Sequence, residues 1–312
     1  MKKSCYNHSC RYYAKSVKAV INIVKVKAYL SLIRPKNWMK NVFVFIPLVF
    51  SLELFNLKQL TSTIAAFGAF CLISSAVYVF NDICDAQKDA AHPVKRSRPV
   101  ASGMISKQKA AVMAAFLLVS GLAASIYVNP IVGSLVVVYA ALNLSYSLWL
   151  KNKPIFDCFC IAAGFVLRVY TGGAASGEPV SDWLFLTIVA MSLFMAFGKR
   201  NGELSKTVGA RTREVLRKYN ANYLQGMVFT SAGLAIVFYS LWAMNRGDNM
   251  IYTVPLIIFI VSRYLLLISN SSSHGDPTAV IFGDKALLAA VGLYGLLTVV
   301  LLYFGEVIIW VY

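Results

Sequence analysis

Three aspartates at helical spacing are the residues of this sequence best suited to chemistry. Asp82, Asp85 and Asp89 lie in the segment NDICDAQKDAAHPVKRSRPVASG (81–103), directly after an apolar run. Intervals of three and seven residues place the three carboxylates on one face of a continuing helix, within about 60° of one another. Clustered carboxylates repel one another unless a cation lies between them, and Mg²⁺ binds such oxygens, commonly together with substrate phosphates. The spacing therefore predicts a magnesium site.

A structural interpretation of the same segment stays open beside this one. The aspartates could form a solvated acidic helix end that pairs with the basic residues around it: Lys88, Lys95, Arg96 and Arg98. Acids and bases in one loop suit a metal–diphosphate ligand better than either charge alone, and this favours the ligand site.

A second charged segment, GKRNGELSKTVGARTREVLRKY (198–219), follows a later apolar run. Lys199, Arg200 and Glu203 fall on one helical face at these spacings. Basic residues continue beyond them: Arg211, Arg213, Arg217 and Lys218. This segment is mainly cationic, in contrast to the aspartate segment.

Composition identifies the elements that must position these side chains. Of the 312 residues, 58% are hydrophobic and 14% are charged, whereas soluble domains are nearer half apolar and a quarter charged. These values exclude disordered, collagen-like and coiled-coil chains. They indicate an all-α integral membrane protein.

Nine membrane-spanning helices are predicted, because a bilayer core requires about 20 mostly apolar residues per helix. Five uncharged stretches qualify directly: 60–80, 110–128, 131–150, 219–245 and 286–305. Four weaker candidates are 41–59, 154–173, 183–198 and 250–269. Asn129-Pro130 supplies the turn that divides the long stretch 110–150 into two spans. We expect a basic tail over 1–40, with 17–33 as an amphipathic or a disordered segment, and a single transmembrane catalytic domain over 41–312.

The basic residues orient these spans. With nine spans, 26 of the 30 Lys and Arg residues fall on the side of the N-terminal tail and two on the opposite side. By the positive-inside rule the basic side is cytoplasmic. The net charge of +17 is then explained by topology and anionic lipid, so that no nucleic-acid partner is expected.

Several motifs together resemble one known family. The pattern NDxxDxxxDxxHPxKxxRPxASG is similar to the first aspartate-rich motif of the UbiA-type prenyltransferase superfamily. Further segments resemble its decaprenyl-phosphate phosphoribosyltransferase branch, in the expected order: LIRPKNWMKN (32–41), YSLWLKNKPIFD (146–157), GFVLRVYTGGAAS (164–176), FGKRNGEL (197–204) and GDPTAVIFGDKALL (275–288). The last two of these segments are specific to the branch.

The resemblance implies a UbiA-like bundle of nine helices with a cytoplasm-facing cavity, in a bacterial-type plasma membrane. It implies transfer of the 5-phosphoribosyl group of 5-phosphoribosyl 1-diphosphate (PRPP) to a polyprenyl phosphate, decaprenyl phosphate-like, with Mg²⁺ as cofactor. Other superfamily members carry a second aspartate-rich motif after the sixth span, where this sequence has Lys199, Arg200 and one acid, Glu203. One acidic and one basic segment suit PRPP, which has a diphosphate for the metal and a separate phosphate.

The resemblance and the charges together give an expected set of site residues. Expected at the metal are Asp82, Asp85 and Asp89. Expected catalytic residues are Asp82, Asp85, Lys199 and Arg200. Expected substrate-binding residues are Arg34, Lys36, Lys40, Asn81, Lys95, Arg98, Tyr146, Lys151, Glu203 and Arg263. For Arg34, Lys36 and Lys40, and for Lys151, ordinary anchoring at the basic membrane face is the alternative.

Four charged residues have weaker assignments. The role of Arg168 stays open, and extension of its side chain to the far membrane interface is one interpretation. Asp157 opens a span and is interpreted as a helix cap. The roles of Asp276 and Asp284 stay open, with loop capping as one option for each.

Two rival functions are considered. Transfer of an isoprenyl chain to an aromatic acceptor would require a second acidic cluster after the sixth span, which this sequence lacks. A transporter or flippase would place ionisable residues near the membrane midplane, whereas nearly all acids here lie at one membrane face. A homo-oligomer is compatible with either enzyme.

Overall fold

Long apolar runs fold into helices wherever proline, glycine or charged segments do not interrupt them. The computed structural model describes residues 26–205, 214–247, 249–269 and 277–309. Within these ranges, eight helices are long and apolar enough to cross a membrane. They are α1 (Leu57–Ala90), α2 (Lys107–Val128), α3 (Pro130–Leu148), α4 (Phe156–Ser176), α5 (Asp182–Ser205), α6 (Ala221–Arg246), α7 (Val254–Ser269) and α8 (Lys285–Ile309). The spanning length of α7 includes the 3-10 helix over Met250–Thr253 that directly precedes it. The prediction of an all-α membrane fold is confirmed.

Local sequence signals set several helix boundaries. Asn129 accepts a hydrogen bond from the backbone amide of Ile131, and Pro130 occupies the first helical position of α3, so the predicted turn is confirmed. Asn220 caps α6 in the same way, through the amide of Asn222. Gly177, with φ of 81°, ends α4 in the left-handed conformation that glycine adopts without steric cost.

The first predicted span, 41–59, is not one continuous helix. A 3-10 helix covers Pro35–Phe45, a short α-helix covers Ile46–Phe50, and the chain then turns before α1. Leu52 in this turn has φ of 68°, which a helix does not accommodate. Hydropathy alone therefore located an apolar segment here but misjudged its helix type and its end. The count of nine spans stays a prediction.

The chain divides into two compact units. The first comprises residues 1–39 and 71–121, of which the structure describes 26–39 and 71–121. A helical segment over 26–33 buries Ala28 and Leu32 in the core of this unit, together with Val79 and Ala110. This segment is the described part of the tail for which an amphipathic helix was considered; residues 17–25 lie outside the described ranges.

The 3-10 helix is tied to α1 within this first unit. Ser75 of α1 donates a hydrogen bond to the carbonyl of Ile33 (2.9 Å) and accepts one from the indole nitrogen of Trp38 (3.0 Å). These bonds fix the backbone on both sides of Arg34, which has φ of 53°. Arg34 is thereby held above the end of α1 that carries the aspartates.

The second unit comprises residues 40–70 and 122–312. Its hydrophobic core lies among α4 to α8, where α5 and α6 pack along one another. Gly172 of α4 lies so close to the segment before α1 that an added Cβ would collide with the carbonyl oxygen of Val44. Small residues allow this kind of backbone approach between membrane helices. The division into a tail over 1–40 and one domain over 41–312 stays a prediction.

Candidate active site

The aspartate cluster (Asp82, Asp85 and Asp89) lies at the end of α1, in the first unit. Asp82 and Asp89 are buried, with 3% and 4% of their surface exposed, and Asp85 is half-buried. The helix continues to Ala90, so all three residues are helical, as their spacing predicted.

Two arginines neutralise the buried carboxylates. Nη2 of Arg34 donates to Oδ1 of Asp82 at 2.5 Å, and the Arg34 guanidinium lies 5.5 Å from the ring centre of Tyr78. Nη1 of Arg98 donates to the same oxygen of Asp82 at 3.2 Å and to Oδ2 of Asp89 at 2.6 Å. A cation therefore does bridge two of the carboxylates, but in this structure it is a guanidinium. The pairing with Arg98 considered for a structural helix end is present.

The aspartate cluster fits Mg²⁺ in the chemistry of its donors. Within the described residues, no three His, Cys, Asp or Glu side chains are placed to hold a metal ion together. Magnesium does not require such a set, because it is usually bound through one or two carboxylates and completes its shell with water and substrate phosphates. Asp82 and Asp89, both bound by the same nitrogen of Arg98, supply two hard anionic oxygens of the kind that Mg²⁺ binds.

The other residues predicted in the first unit lie near the ends of α1 and of the 3-10 helix. Asn81 and Lys95 are half-buried, and Lys36 is exposed. Arg34 and Arg98 both contact Asp82 from outside α1, and Arg98 follows a short 3-10 turn over Lys95–Ser97.

A buried ion-pair network occupies the second unit. Arg200 is 1% exposed, and its Nε donates to Oδ2 of Asp157 at 2.5 Å while its Nη1 donates to Oε2 of Glu203 at 2.7 Å. Tyr219 donates to the other oxygen of Asp157 at 2.6 Å. Nη2 of Arg200 reaches the hydroxyl of Tyr146 at 3.5 Å. We call these five residues the Arg200 network.

Sequence reasoning missed two members of this network. Asp157 was interpreted as a helix cap, but the residue at the cap position of α4 is Ile155, and the fully buried Asp157 carboxylate binds Arg200 and Tyr219 instead. Tyr219 had no assignment. One signal in the sequence could have indicated the network: Asp157 is an acid at the start of a span, and a buried acid there requires a partner that compensates its charge.

A strained turn delivers Asp157 to the network. Ile155 has φ of 70° and ψ of −52°, and the amide of Phe156 donates to the carbonyl of Pro154 at 2.8 Å. This is a γ-turn with positive φ, a conformation that is rare and costly for a β-branched residue. The amide of Ile155 donates to the Tyr219 hydroxyl at 2.6 Å, so Tyr219 holds the turn as well as the carboxylate.

Tyr219 keeps its proton under ordinary conditions. Burial first, and then the hydrogen bond with Asp157, raise the pKa of Tyr219 well above its ordinary value. The phenol is therefore the donor to the carboxylate and the acceptor from the Ile155 amide.

The remaining cationic residues predicted in the second unit lie outside the Arg200 network. Lys40, Lys151 and Lys199 are each half-buried. Arg263 on α7 donates to Asp284 at 2.8 Å, and Asp284 caps α8 by accepting from the amide of Leu287 at 2.7 Å. The bond from Arg263, followed by that from Leu287, holds the pKa of Asp284 below its ordinary value. Capping by Asp284 was one option foreseen; Asp276, Arg211 and Arg213 lie outside the described residues.

Arg168 does not extend toward a membrane surface. It is 5% exposed and lies about 18 Å along α4 from its first residue. Its guanidinium donates to Asn41 (2.9 Å), the carbonyl of Gly164 (2.7 Å) and Tyr139 (2.9 Å). The structure contradicts the interpretation of an extended side chain, because neutral oxygens and aromatic faces inside the unit stabilise the charge.

Comparison with known proteins places the chain in a family. A decaprenyl-phosphate phosphoribosyltransferase of Mycolicibacterium smegmatis is 32% identical over 293 residues, which cover 86% of this chain and 92% of that protein. One from Corynebacterium glutamicum is 35% identical, over 82% of this chain and 80% of that protein. A solved UbiA homolog from Archaeoglobus fulgidus, bound to DMAPP and Mg²⁺, superposes with a TM-score of 0.68 at 17% identity, over 91% of this chain and 99% of that one. The family model for UbiA prenyltransferases matches residues 43–282, and the chain belongs to the UbiA prenyltransferase family.

Proposed function

We propose that this protein transfers the 5-phosphoribosyl group of PRPP to a polyprenyl phosphate, with release of diphosphate. The observation that carries the proposal is the identity of 32–35%, over most of the chain, with proteins named for this activity. The branch-specific segments FGKRNGEL (197–204) and GDPTAVIFGDKALL (275–288) support the same assignment. The chain is accordingly an enzyme embedded in the membrane by several helices.

The aspartate cluster is the proposed site of Mg²⁺ and the donor diphosphate. Asp82 and Asp89 would hold the ion, with Asp85 and Asn81 on the same helix end. The ion, when bound, neutralises the charge of the leaving diphosphate. Arg34 and Arg98 already lie at these carboxylates and can turn a donor nitrogen to a diphosphate oxygen, for which guanidinium geometry is well suited. Lys95 lies next to Arg98 in the same loop.

The transfer itself requires few proton movements by the protein. The bond from ribose C1 to the diphosphate oxygen breaks, the bond from C1 to the lipid phosphate oxygen forms, and positive charge develops at C1 between the two events. A phosphate monoester has a second pKa of about 6, so the lipid phosphate is ionised near neutral pH and needs no general base. The protein then contributes mainly position and electrostatic stabilisation.

Cationic groups of the chain are proposed for the two remaining phosphates. Arg34, Lys36 and Lys40 at the first span would bind the phosphate of the lipid acceptor. Lys151, Lys199 and Tyr146 are proposed for the 5-phosphate of the donor. Arg200 and Glu203, also expected at the substrate, are bound to one another in the Arg200 network. Arg263 stays a candidate for substrate binding, although it is paired with Asp284.

A second candidate function is isoprenyl transfer to an aromatic acceptor, as the family name suggests. The second unit offers little support for it, because the one acid of segment 199–204, Glu203, is bound by Arg200. Orientation is also part of the proposal: the aspartate cluster and the basic residues face the cytoplasm across a bacterial-type plasma membrane.

The assignment is tested with membranes that contain the protein. They are incubated with PRPP labelled in the ribose, a polyprenyl phosphate and Mg²⁺, and label is measured in the organic phase. Transfer of label, abolished by chelation and by Asp82→Asn, supports the proposal. Label that moves only from isoprenyl diphosphate to 4-hydroxybenzoate would establish the second candidate instead.

A further inference from the structure

The Arg200 network contains more hydrogen bonds than the ion pair between Arg200 and Asp157 alone. Asp157 accepts from two donors on its two oxygens, Nε of Arg200 at 2.5 Å and the hydroxyl of Tyr219 at 2.6 Å. Tyr219 is in turn fixed by the amide of the strained residue Ile155. Strain of this kind persists where the surroundings over-determine it, and it concentrates at functional sites.

Arg200 is not placed to contact a ligand itself. It is 1% exposed, and each of its three nitrogens already donates, to Asp157, Glu203 and Tyr146. Nη1 and Nη2 each keep one further N–H, but a substrate oxygen could reach these only if the guanidinium left a fully buried ion pair, which is costly.

Tyr146 is the member of the network that can face outward. It is half-buried at the end of α3, and its hydroxyl oxygen accepts from Nη2 of Arg200. A phenol that accepts a hydrogen bond on its oxygen turns its own proton away from that donor. Among the residues that the structure describes, no acceptor receives this proton.

We propose that Asp157 and Tyr219 are positioning residues that act, through Arg200, on the hydroxyl of Tyr146, so that Tyr146 donates a hydrogen bond to a phosphate oxygen of the donor substrate. The order of contacts is Tyr219 to Asp157, Asp157 to Arg200, and Arg200 to Tyr146. This inference rests on the proposed function for the identity of the donor. Arg200, which the sequence predicted to be catalytic, then orients Tyr146 and does not contact the phosphate itself.

A double-mutant cycle tests the inference, because residues that act through one another are not additive. The variants are Tyr146→Phe, Tyr219→Phe and the double variant, and the measurement is the Kd of labelled PRPP in the presence of Mg²⁺. Tyr223→Phe is the matched control: its ring stacks on Tyr219 with centres 6.1 Å apart, and it is 40% exposed.

The relay predicts a specific pattern. Tyr146→Phe weakens PRPP binding about tenfold, the loss expected for a hydrogen bond to a charged group, and Tyr219→Phe weakens it about threefold. The double variant binds no more weakly than Tyr146→Phe alone, while Tyr223→Phe binds as the unmodified protein does. Effects of Tyr146→Phe and Tyr219→Phe that multiply, to about thirtyfold, would overturn the relay.

Two further arms keep the result decisive. If Tyr219→Phe does not fold, Asp157→Asn replaces it in the same cycle, with the same non-additive outcome expected. Transfer of label by the unmodified protein is measured in parallel. A protein that binds PRPP but transfers nothing refutes the proposed function, and the cycle then still decides on the relay; a protein that does not bind PRPP refutes both.

Discussion

Nη2 of Arg34 lies 2.5 Å from Oδ1 of Asp82, although 48 positions separate the two residues in the sequence. Arg34 makes this contact from a left-handed backbone conformation, with φ of 53°, which a non-glycine residue adopts at a cost. Arg98 shares the same carboxylate oxygen. Two arginines therefore already contact the carboxylates of the proposed diphosphate site before a substrate binds.

Replacing Arg98 with alanine should destabilise the protein and make Mg²⁺ more stabilising. The variant leaves two buried carboxylates with one cation fewer, a loss of about 1–3 kcal/mol at a site that water partly reaches. Mg²⁺ can take the place of the guanidinium between Asp82 and Asp89, so it should raise the unfolding temperature of Arg98→Ala more than that of the unmodified protein. Thermal unfolding in detergent, with and without Mg²⁺, measures both effects.

Arg96→Ala is the matched control for that experiment, since Arg96 lies two residues away and is exposed. It should behave as the unmodified protein at every Mg²⁺ concentration. Equal behaviour of the Arg96 and Arg98 variants would mean that the bridge contributes nothing.

Replacing Arg168 with methionine should lower the stability of the protein, and by more than Tyr139→Phe does. Hydrogen bonds between membrane helices contribute about 0.6 kcal/mol each, so the loss of the two bonds from Arg168 to Asn41 and Tyr139 amounts to about 1.2 kcal/mol. Loss of the Arg168–Tyr139 bond alone, in Tyr139→Phe, amounts to about 0.6 kcal/mol. Unfolding in mixed micelles measures both losses. A methionine variant as stable as the unmodified protein would show that the buried guanidinium does not hold α4 to its neighbours.

Gly172→Ala should be strongly destabilising, because the new methyl group meets the carbonyl oxygen of Val44 and backbone cannot yield as a side chain can. Gly226→Ala on α6 is its counterpart, with no atom within 4 Å of the added Cβ. Alanine has the higher helix propensity, so Gly226→Ala should leave stability unchanged or raise it by up to about 1 kcal/mol. Comparison of the two unfolding temperatures tests whether α4 packs as closely as described.

The Arg263–Asp284 pair should stabilise the protein at neutral pH and lose that effect in acid. The pKa of Asp284 is lowered in the folded state, so the contribution is complete above the ordinary aspartate range, about pH 4, and disappears as pH falls through the lowered value. The difference in unfolding free energy between Asp284→Asn and the unmodified protein is measured from about pH 3 to about pH 7, a range that covers the titration of an aspartate. A difference that stays constant, or grows toward low pH, contradicts this assignment.

Variants of the same two residues distinguish a structural role of Arg263 from a role in substrate binding. If Arg263 serves α8 rather than a substrate, Arg263→Gln and Asp284→Asn should lose similar stability, and the KM for PRPP should be unchanged in both. A raised KM in Arg263→Gln alone would return Arg263 to the substrate site.

The sequence was sufficient for the parts of the fold that depend on regular spacing. Apolar length located α1 to α8, and the three- and seven-residue intervals placed Asp82 and Asp89 on one side of α1. The sequence was insufficient where the type of helix matters. A 3-10 segment and an α-helical segment of the same residues have the same hydropathy, and the predicted bounds 41–59 were therefore wrong. Tertiary pairing was the other gap, because nothing near Asp157 in sequence indicates that its partners are 43 and 62 residues away.

Asp82 is proposed to bind the donor through a divalent ion, and equilibrium binding of labelled PRPP to purified protein decides whether it does. We expect PRPP to bind the unmodified protein only when Mg²⁺ is present, and Asp82→Asn to bind it at least about 50-fold more weakly, since the anionic oxygen that holds the ion is lost. Asp182→Asn, a change at the exposed first residue of α5, should bind as the unmodified protein does. Binding of PRPP that is independent of Mg²⁺, or equal in Asp82→Asn, would contradict the account.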